Sequence, residues 1–369
     1  MFIKFHLILL IILFCSFLLS DGMSLGQSEK VSPSPPHHTP KGFQNLYGHS
    51  ERGFGDFLRW QLGLGPREIP VVPPGDVPNY KPETVQAPIQ RIKQPDPNQI
   101  QITWIGHSTF LIQLEGINIL TDPIFSDYCG PNSFLGVKRV APPGIPFEEL
   151  PAIHAVLISH NHYDHLDAPT VERLGNGPTY FVPLGIGRWF EKKKIKKVVE
   201  LDWWQSSSLN DLKFHSVPLQ HFSNRTPLDR NKTLWSGWII DTKSAKIFFA
   251  GDTGYAPVFK EIGERFGPIQ ISMIPIGAYR PRWFMGPVHV DPPEAIEILK
   301  DTRSERAIAC HWGTFKLSDE PLEEPPVYLR KALKENGVDE GRFIIMKFGE
   351  TLGLSNRGVL VGFRWVMRP

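Results

Sequence analysis

Histidine and aspartate crowd into one short stretch, His160-Asn161-His162-Tyr163-Asp164-His165, directly after the apolar run Ala155-Val156-Leu157-Ile158-Ser159. Groups of this kind are costly to keep in a folded chain unless they bind something, because a dry interior leaves them unsatisfied. Imidazole and carboxylate donors together suit zinc, with iron or manganese as alternatives. The absence of a nearby cysteine argues against a structural zinc knuckle. Side chains alternate along an extended segment, so His160 and His162 can share one ion while Asp164 and His165 turn toward a second. Further donors should come from other strand ends. His221 follows Phe214–Val217, Asp252 follows Ile247-Phe248-Phe249-Ala250-Gly251, and His311 follows Ala307-Ile308-Ala309-Cys310. Gly251 and Gly254 around Asp252 let the backbone turn sharply and present the carboxylate. Its two oxygens can bridge two metals, which an imidazole cannot do.

These donors need strands to carry them. Strands are predicted at 101–105, then at 109–114 and 117–121 as a hairpin around Glu115-Gly116. Further β-type runs fall at 153–159, 180–182, 197–201, 213–217, 234–241, 246–250, 271–276, 307–309 and 343–347. Helical candidates lie between them at 168–174, 184–193, 256–266, 292–299 and 325–335. Strands first, then strands alternating with helices, predict an α/β fold of the αββα sandwich type, with two mixed sheets packed face to face and helices outside.

The chain has 369 residues, a formal net charge of +2, and 21% charged against 41% hydrophobic residues. That predicts a folded body and gives no support to a nucleic-acid binder, which would carry a concentrated basic field. Residues 1–21, with Lys4 before an apolar run from Leu7 to Leu19, read as a signal peptide or N-terminal anchor. The expected location is therefore exported or membrane-anchored. Residues 22–45 are polar and proline-rich and read as a flexible linker, with His37 and His38 solvated. A catalytic domain is expected over 46–369, with an N-terminal arm over 46–100. Within that arm the prolines from Pro66 to Pro97 are too dense for helix or central strand. Nothing in the spacing of Cys129 and Cys310 argues for a bridge, and they read as reduced or buried cysteines.

Several longer runs resemble the N-acylphosphatidylethanolamine-hydrolysing phospholipase D family of the metallo-β-lactamase superfamily. They are Trp104–His107, Leu120–Phe125, Val156–Asp167, Leu201–Trp204, Phe249–Tyr255, Ile274–Tyr279, Pro281–Met285, His289–Pro292 and His311–Phe315. The metal motif alone identifies only the superfamily; the aromatic-rich runs are more specific. The resemblance implies a metallo-β-lactamase fold and two Zn2+ per chain. It implies one ion on His160, His162, His221 and Asp252, and the other on Asp164, His165, Asp252 and His311, with Asp252 bridging. It further implies that a metal-bound hydroxide, oriented by Asp164, cleaves N-acylphosphatidylethanolamine to N-acylethanolamine and phosphatidic acid. His289 matches a histidine near the site and is assigned a substrate-facing, catalytic role. By the resemblance alone, a homodimer is expected.

A lipid substrate needs an apolar landing surface and a membrane to approach. Tyr163, Trp189, Tyr279, Trp283, Phe284 and Met285 are the candidates for substrate contact, with Phe190, Trp203, Trp204 and Leu58–Trp60 as further aromatic or apolar groups. The lysine run between Glu191 and Lys197 offers charge to anionic headgroups at about 1 kcal/mol per lysine near the surface. No His-x-Lys-x4-Asp motif is present, which excludes the double-displacement phospholipase D chemistry, and no Gly-x-Ser-x-Gly elbow points to a serine esterase. The rival readings are a hydrolase of another ester, a lactone or a soluble phosphodiester, and an idle lipid-binding scaffold. The intact donor set speaks against the scaffold.

Overall fold

The structure is a computed structural model that describes residues 34–48, 52–66, 68–72, 80–243 and 245–355; the expected signal or anchor segment lies outside them. Two mixed seven-stranded sheets carry the architecture. The first holds β1 (Gln99–Gly106), β2 (Thr109–Leu114), β3 (Ile117–Thr121), β4 (Ala155–Leu157), β5 (Thr179–Pro183), β6 (Val198–Leu201) and β14 (Thr351–Ser355). From edge to edge it runs β6-β5-β4-β3-β2-β1-β14. The second runs in chain order, through β7 (Ser206–Leu209), β8 (Leu212–Val217), β9 (Gly237–Asp241), β10 (Lys246–Phe249), β11 (Ile271–Pro275), β12 (Ala307–Cys310) and β13 (Phe343–Ile344).

Alternation along each strand sorts side chains into two apolar layers. Phe110 and Ile112 of β2 join Phe214, Trp238 and Phe248 of the second sheet in the core between the sheets. Leu111, one residue over, packs with Leu120, Val156 and Tyr180 beneath the helices on the outer face. Those helices are α2 (Ile89–Lys93), α3 (Ala168–Leu174) and α4 (Gly187–Lys192), which bury Ile92, Val171 and Phe190. The other outer layer is α5 (Val258–Phe266), α7 (Pro292–Asp301) and α8 (Glu324–Glu335), turning Phe259, Ile296 and Leu329 inward. The short α1 (Phe54–Gln61) and α6 (Arg282–Met285) sit together beside the sandwich.

The expected αββα sandwich is the observed fold, and local chemistry explains its boundaries. Glu115 and Gly116 both have positive φ, the conformation a two-residue hairpin turn requires. Asp291 opens α7 with a capping box to Glu294 and a proline in its first turn. Three expectations need correction. From Ser34 onward the linker is ordered: His38–Thr39 pairs with Gly42–Phe43, and His37 is buried against Asp202 and Trp203. Composition alone read as tether because the partners lie more than 160 residues away. Second, the proline-dense arm holds the helix α2, which fits between Pro88 and Pro95 with Ile92 as its buried anchor. Third, the edge strand β7 and the closing strand β14 were not read. The sequence Ser206-Ser207-Ser208 carries no apolar alternation, and β14 is stabilised by pairing with distant β1.

Candidate metal centre

All seven predicted metal donors meet where strand ends of both sheets open on the same edge. His160, His162, Asp164 and His165 follow β4, and His221, Asp252 and His311 follow β8, β10 and β12. Getting there takes unusual backbone. His311 has φ 59°, and Gly251, at φ 61°, passes so close to Ser159 that an added Cβ would lie 2.6 Å from its Cβ. Strain of this kind persists only where the surroundings enforce it, and it collects at functional sites.

The donor atoms converge in two adjacent sets. In the first, His160 Nε2 is 2.7 Å and His221 Nε2 3.4 Å from His162 Nδ1. In the second, His165 Nε2 and His311 Nε2 each lie 3.3 Å from Asp164 Oδ2. Asp252 stands between the sets. Its Oδ2 is 3.2 Å from His165, 3.0 Å from His311 and 3.9 Å from His221. Yet His165 Nε2, His311 Nε2 and Asp252 Oδ1 are buried without a hydrogen-bond partner among the described residues. The two nitrogens lie 3.0–3.3 Å from Asp164 Oδ2 and Asp252 Oδ2 without the alignment a hydrogen bond requires, as groups do when aimed at a common point. Orphaned buried imidazole nitrogens beside carboxylates fit divalent metal ions.

Electrostatics points the same way. Burial, helped by His165, His162 and His221, holds the His160 imidazole well below its ordinary value. Burial does the same to His221 and takes His162 and His289 down to about 4. Neutral imidazole is the form that binds metal. His165 and His311 go the other way. Burial opposes their charge, but Asp252, Asp164 and Asp122 lift His165 well above its usual range, and Asp252 and Asp164 bring His311 to about 9. Burial likewise opposes ionisation of Asp164 and Asp252, and His165 overrides it, holding both carboxyls far below the usual range. Protons on His165 and His311 thus stand in for the positive charge that a metal ion brings.

Four supporting residues had not been assigned a role from the sequence. Asp122, after β3 with φ 32°, accepts from His165 Nδ1 at 2.6 Å and from the Ser159 hydroxyl at 2.5 Å. That hydroxyl in turn lies 2.9 Å from His160 Nδ1, so one carboxylate fixes the tautomer of a histidine in each set. His107 Nε2 donates to Asp164 Oδ2 at 2.9 Å. Arg225 donates at 2.8 Å to both Asn161 O and Leu166 O, bracketing the ligand loop. Asn45 holds the His221 backbone from both sides, accepting from its N–H at 3.1 Å and donating to its carbonyl at 2.8 Å. Asp122 and His107 lay inside the Leu120–Phe125 and Trp104–His107 runs, which were the signal for them; Arg225 and Asn45 had none.

The expected substrate contacts divide. His289 faces the centre, with its unpartnered Nδ1 3.9 Å from Asp252 Oδ2. Tyr163 lies beside the ligand loop, its hydroxyl donating to Arg225 O, and the Arg225 guanidinium lies over both Tyr163 and Trp189. Trp283 and Phe284 sit on α6, where Phe284 stacks on Trp60 with 5.0 Å between ring centroids. Tyr279 is a correction: it is fully buried and its hydroxyl donates to Glu324. Met285, Trp203 and Phe190 are buried packing groups as well, because each faces inward from its own turn or helix.

Fold and donor set together define a metal-dependent hydrolase of the metallo-β-lactamase superfamily, and the beta-lactamase superfamily domain matches residues 117–312. A metallo hydrolase from the archaeon Ignicoccus hospitalis shares the fold, with a TM-score of 0.54 and 21% identity over 70% of this chain and 99% of that one. Among sequences, an N-acyl-phosphatidylethanolamine-hydrolyzing phospholipase D of Caenorhabditis elegans is 39% identical, over 69% of this chain and 76% of the worm protein. A mitochondrial protein of the same name from Saccharomyces cerevisiae is 36% identical, over 68% of this chain and 55% of the yeast protein. The chain belongs to the N-acyl-phosphatidylethanolamine-hydrolysing phospholipase D family.

Proposed function

We propose that the chain cleaves N-acylphosphatidylethanolamine by attack of water at phosphorus, giving N-acylethanolamine and phosphatidic acid. The observation that carries this is the complete two-set donor cluster, His160/His162/His221 and Asp164/His165/His311 around Asp252, in a chain of this family. Two divalent ions held there, zinc by preference, would acidify a water toward neutral pH and offset charge building on a phosphoryl oxygen. The chain's own residues do the rest. Asp164, ionised and held by His107, offers a fixed carboxylate oxygen for orienting the attacking water. His289, kept neutral by burial, presents Nδ1 toward the reacting region as a hydrogen-bonding group rather than a charge. Arg282 steadies it, donating to His289 O at 2.7 Å and to Glu294 at 2.7 Å.

A bilayer is the proposed source of substrate, approached from outside the cytosol or from an N-terminal anchor. Supporting this, Leu64 is 66% and Ile69 91% exposed on the segment after α1, whose Gly65 packs against Trp283 and whose Glu68 accepts from the Arg282 N–H at the start of α6. The test offers N-acylphosphatidylethanolamine or phosphatidylcholine in mixed micelles, with and without chelator and with ethanol present. Chelator-sensitive N-acylethanolamine release with no phosphatidylethanol is the expected result. Failure of metal-loaded protein to cleave either lipid would sink the lipid assignment and direct attention to lactones or soluble phosphodiesters.

A further inference from the structure

The N-terminal segment carries a second concentration of metal donors, remote in sequence from the strand-end centre. His37 Nε2 lies 2.6 Å from Asp202 Oδ1, and His38 Nε2 lies 2.9 Å from Asp202 Oδ2. The donor atoms of all three lie within 4.8 Å of one another. We propose that His37, His38 and Asp202 form a further divalent-cation site that fastens the N-terminal segment to the body.

Three observations support it beyond proximity. The donors are preset: the His37 ring lies 4.3 Å from Trp203, His38 meets Phe43 edge-on at 5.1 Å, and the Trp203 N–H donates to Asp202 Oδ1 at 2.8 Å. Orientation of first ligands by such outer contacts is what tunes a metal site. Second, two imidazoles and one carboxylate are a borderline donor set that takes zinc and its first-row neighbours. One histidine would suffice to hydrogen-bond the carboxylate; two presented through Nε2 make a chelate. Third, access is graded. His37 is 6% exposed at its side chain and His38 31%, so an ion can enter from His38 with room for water to complete its coordination.

The site has a mechanical consequence. From His38 the chain turns through the Thr39–Gly42 ribbon, is held at Phe43 by Asn231 O, and reaches Asn45, whose amide grips the His221 backbone. An ion at His37–His38–Asp202 therefore secures the segment that positions a donor of the main centre.

The experiment loads full-length protein with zinc, removes excess by gel filtration, and counts zinc per chain by mass spectrometry beside His38→Ala and the double variant His37→Ala/His38→Ala. The count is read by difference and repeated with His160→Ala and His311→Ala in every protein compared, so that zinc lost from the main centre does not enter it. Wild type should hold one more zinc than either variant. Added zinc should also raise the thermal midpoint of protein whose main centre is already filled, and leave His38→Ala unmoved. Equal zinc content in wild type and His38→Ala would overturn the site and leave a hydrogen-bonded clasp. His38 is part-exposed, so its single variant keeps the test decisive if the double variant does not fold.

Discussion

Asp122 touches no metal donor atom, yet its replacement by asparagine should weaken the centre as much as loss of a weak ligand. Its Oδ2 accepts from both His165 Nδ1 and the Ser159 hydroxyl, while Oδ1 accepts from the Ser159 N–H at 2.7 Å. In Asp122→Asn one oxygen can keep the backbone bond, but the amide NH2 then faces two donors. His165, which carries protons on both nitrogens before an ion binds, relieves the clash by shedding the one on Nδ1 and keeping the one on Nε2, the atom aimed at Asp252 and Asp164. Metal binding must then reverse the tautomer against the amide. The lost bond is to a charged group, worth about 1.5–3 kcal/mol. At about 1.4 kcal/mol per tenfold change, that is roughly a 10- to 100-fold loss of affinity at the His165 set, the range known for outer-shell partners. Chelator competition with a chromophoric ligand reads the affinity, and hydrolysis assayed across metal concentrations should recover toward wild type as the metal is raised. If affinity stays within twofold of wild type while thermal stability falls, Asp122 is a packing group and the tautomer argument is wrong.

Arg225→Met removes two 2.8 Å bonds that bracket the ligand loop but keeps an apolar stem against Tyr163. We expect a tenfold or greater fall in kcat with a smaller change in KM, read by steady-state kinetics; an unchanged kcat would show that the loop holds itself. In the metal-free protein His311 keeps its proton up to about 9, so an ion taking its Nε2 must expel that proton. Metal affinity should therefore rise with pH up to about 9 and level off above it, and titration calorimetry in two buffers of different ionisation heat should show proton release. An absence of buffer dependence near neutral pH would refute it. The same raised value stabilises the metal-free fold fully below pH 6.5, and that contribution is lost as pH rises through about 9. Chelation should lower the thermal midpoint by several degrees, since an ion at about 100 times its Kd adds about 2.7 kcal/mol; an unchanged midpoint would mean the ions do not tie the structure.

What was legible in the sequence follows the range of the interactions responsible. The strands carrying the donors were visible because their apolar runs are local, and His160 to His165 stood out because charge density after a strand is itself local. Asp252 and His311 followed from the same rule. The supporting residues obey no local rule. Arg225 acts through two carbonyls about 60 positions away, and Asn45 through a backbone 176 positions away, so neither leaves a pattern near itself. His37 and His38 show the failure most clearly. Proline and serine around them signal tether, and only the folded position of Asp202 turns them inward. Tyr279 erred in the opposite sense: an aromatic in a site-rich run, it is fixed by Glu324 at the start of α8.

The placement of donors on both sheets explains why this edge of the sandwich must be so well braced. His160 and His162 come from the first sheet and His221 from the second; Asp164 and His165 come from the first, and His311 and Asp252 from the second. Neither set is complete within one sheet. Any sliding of one sheet on the other would open both sets at once, and donor atoms 3.2–3.4 Å apart across the two sheets leave little room for it. The bonds that cross the gap near the edge match this need. Trp238 Nε1 of the second sheet donates to Ile158 O at the end of β4, and the Ser236 N–H donates to Ser159 O. Trp238 and Ser236 thus tie the strand that delivers His160 to the sheet that delivers His221 and Asp252. Metal binding and sheet packing draw on the same few contacts, so metal held there would fasten the sandwich as well as supply its chemistry.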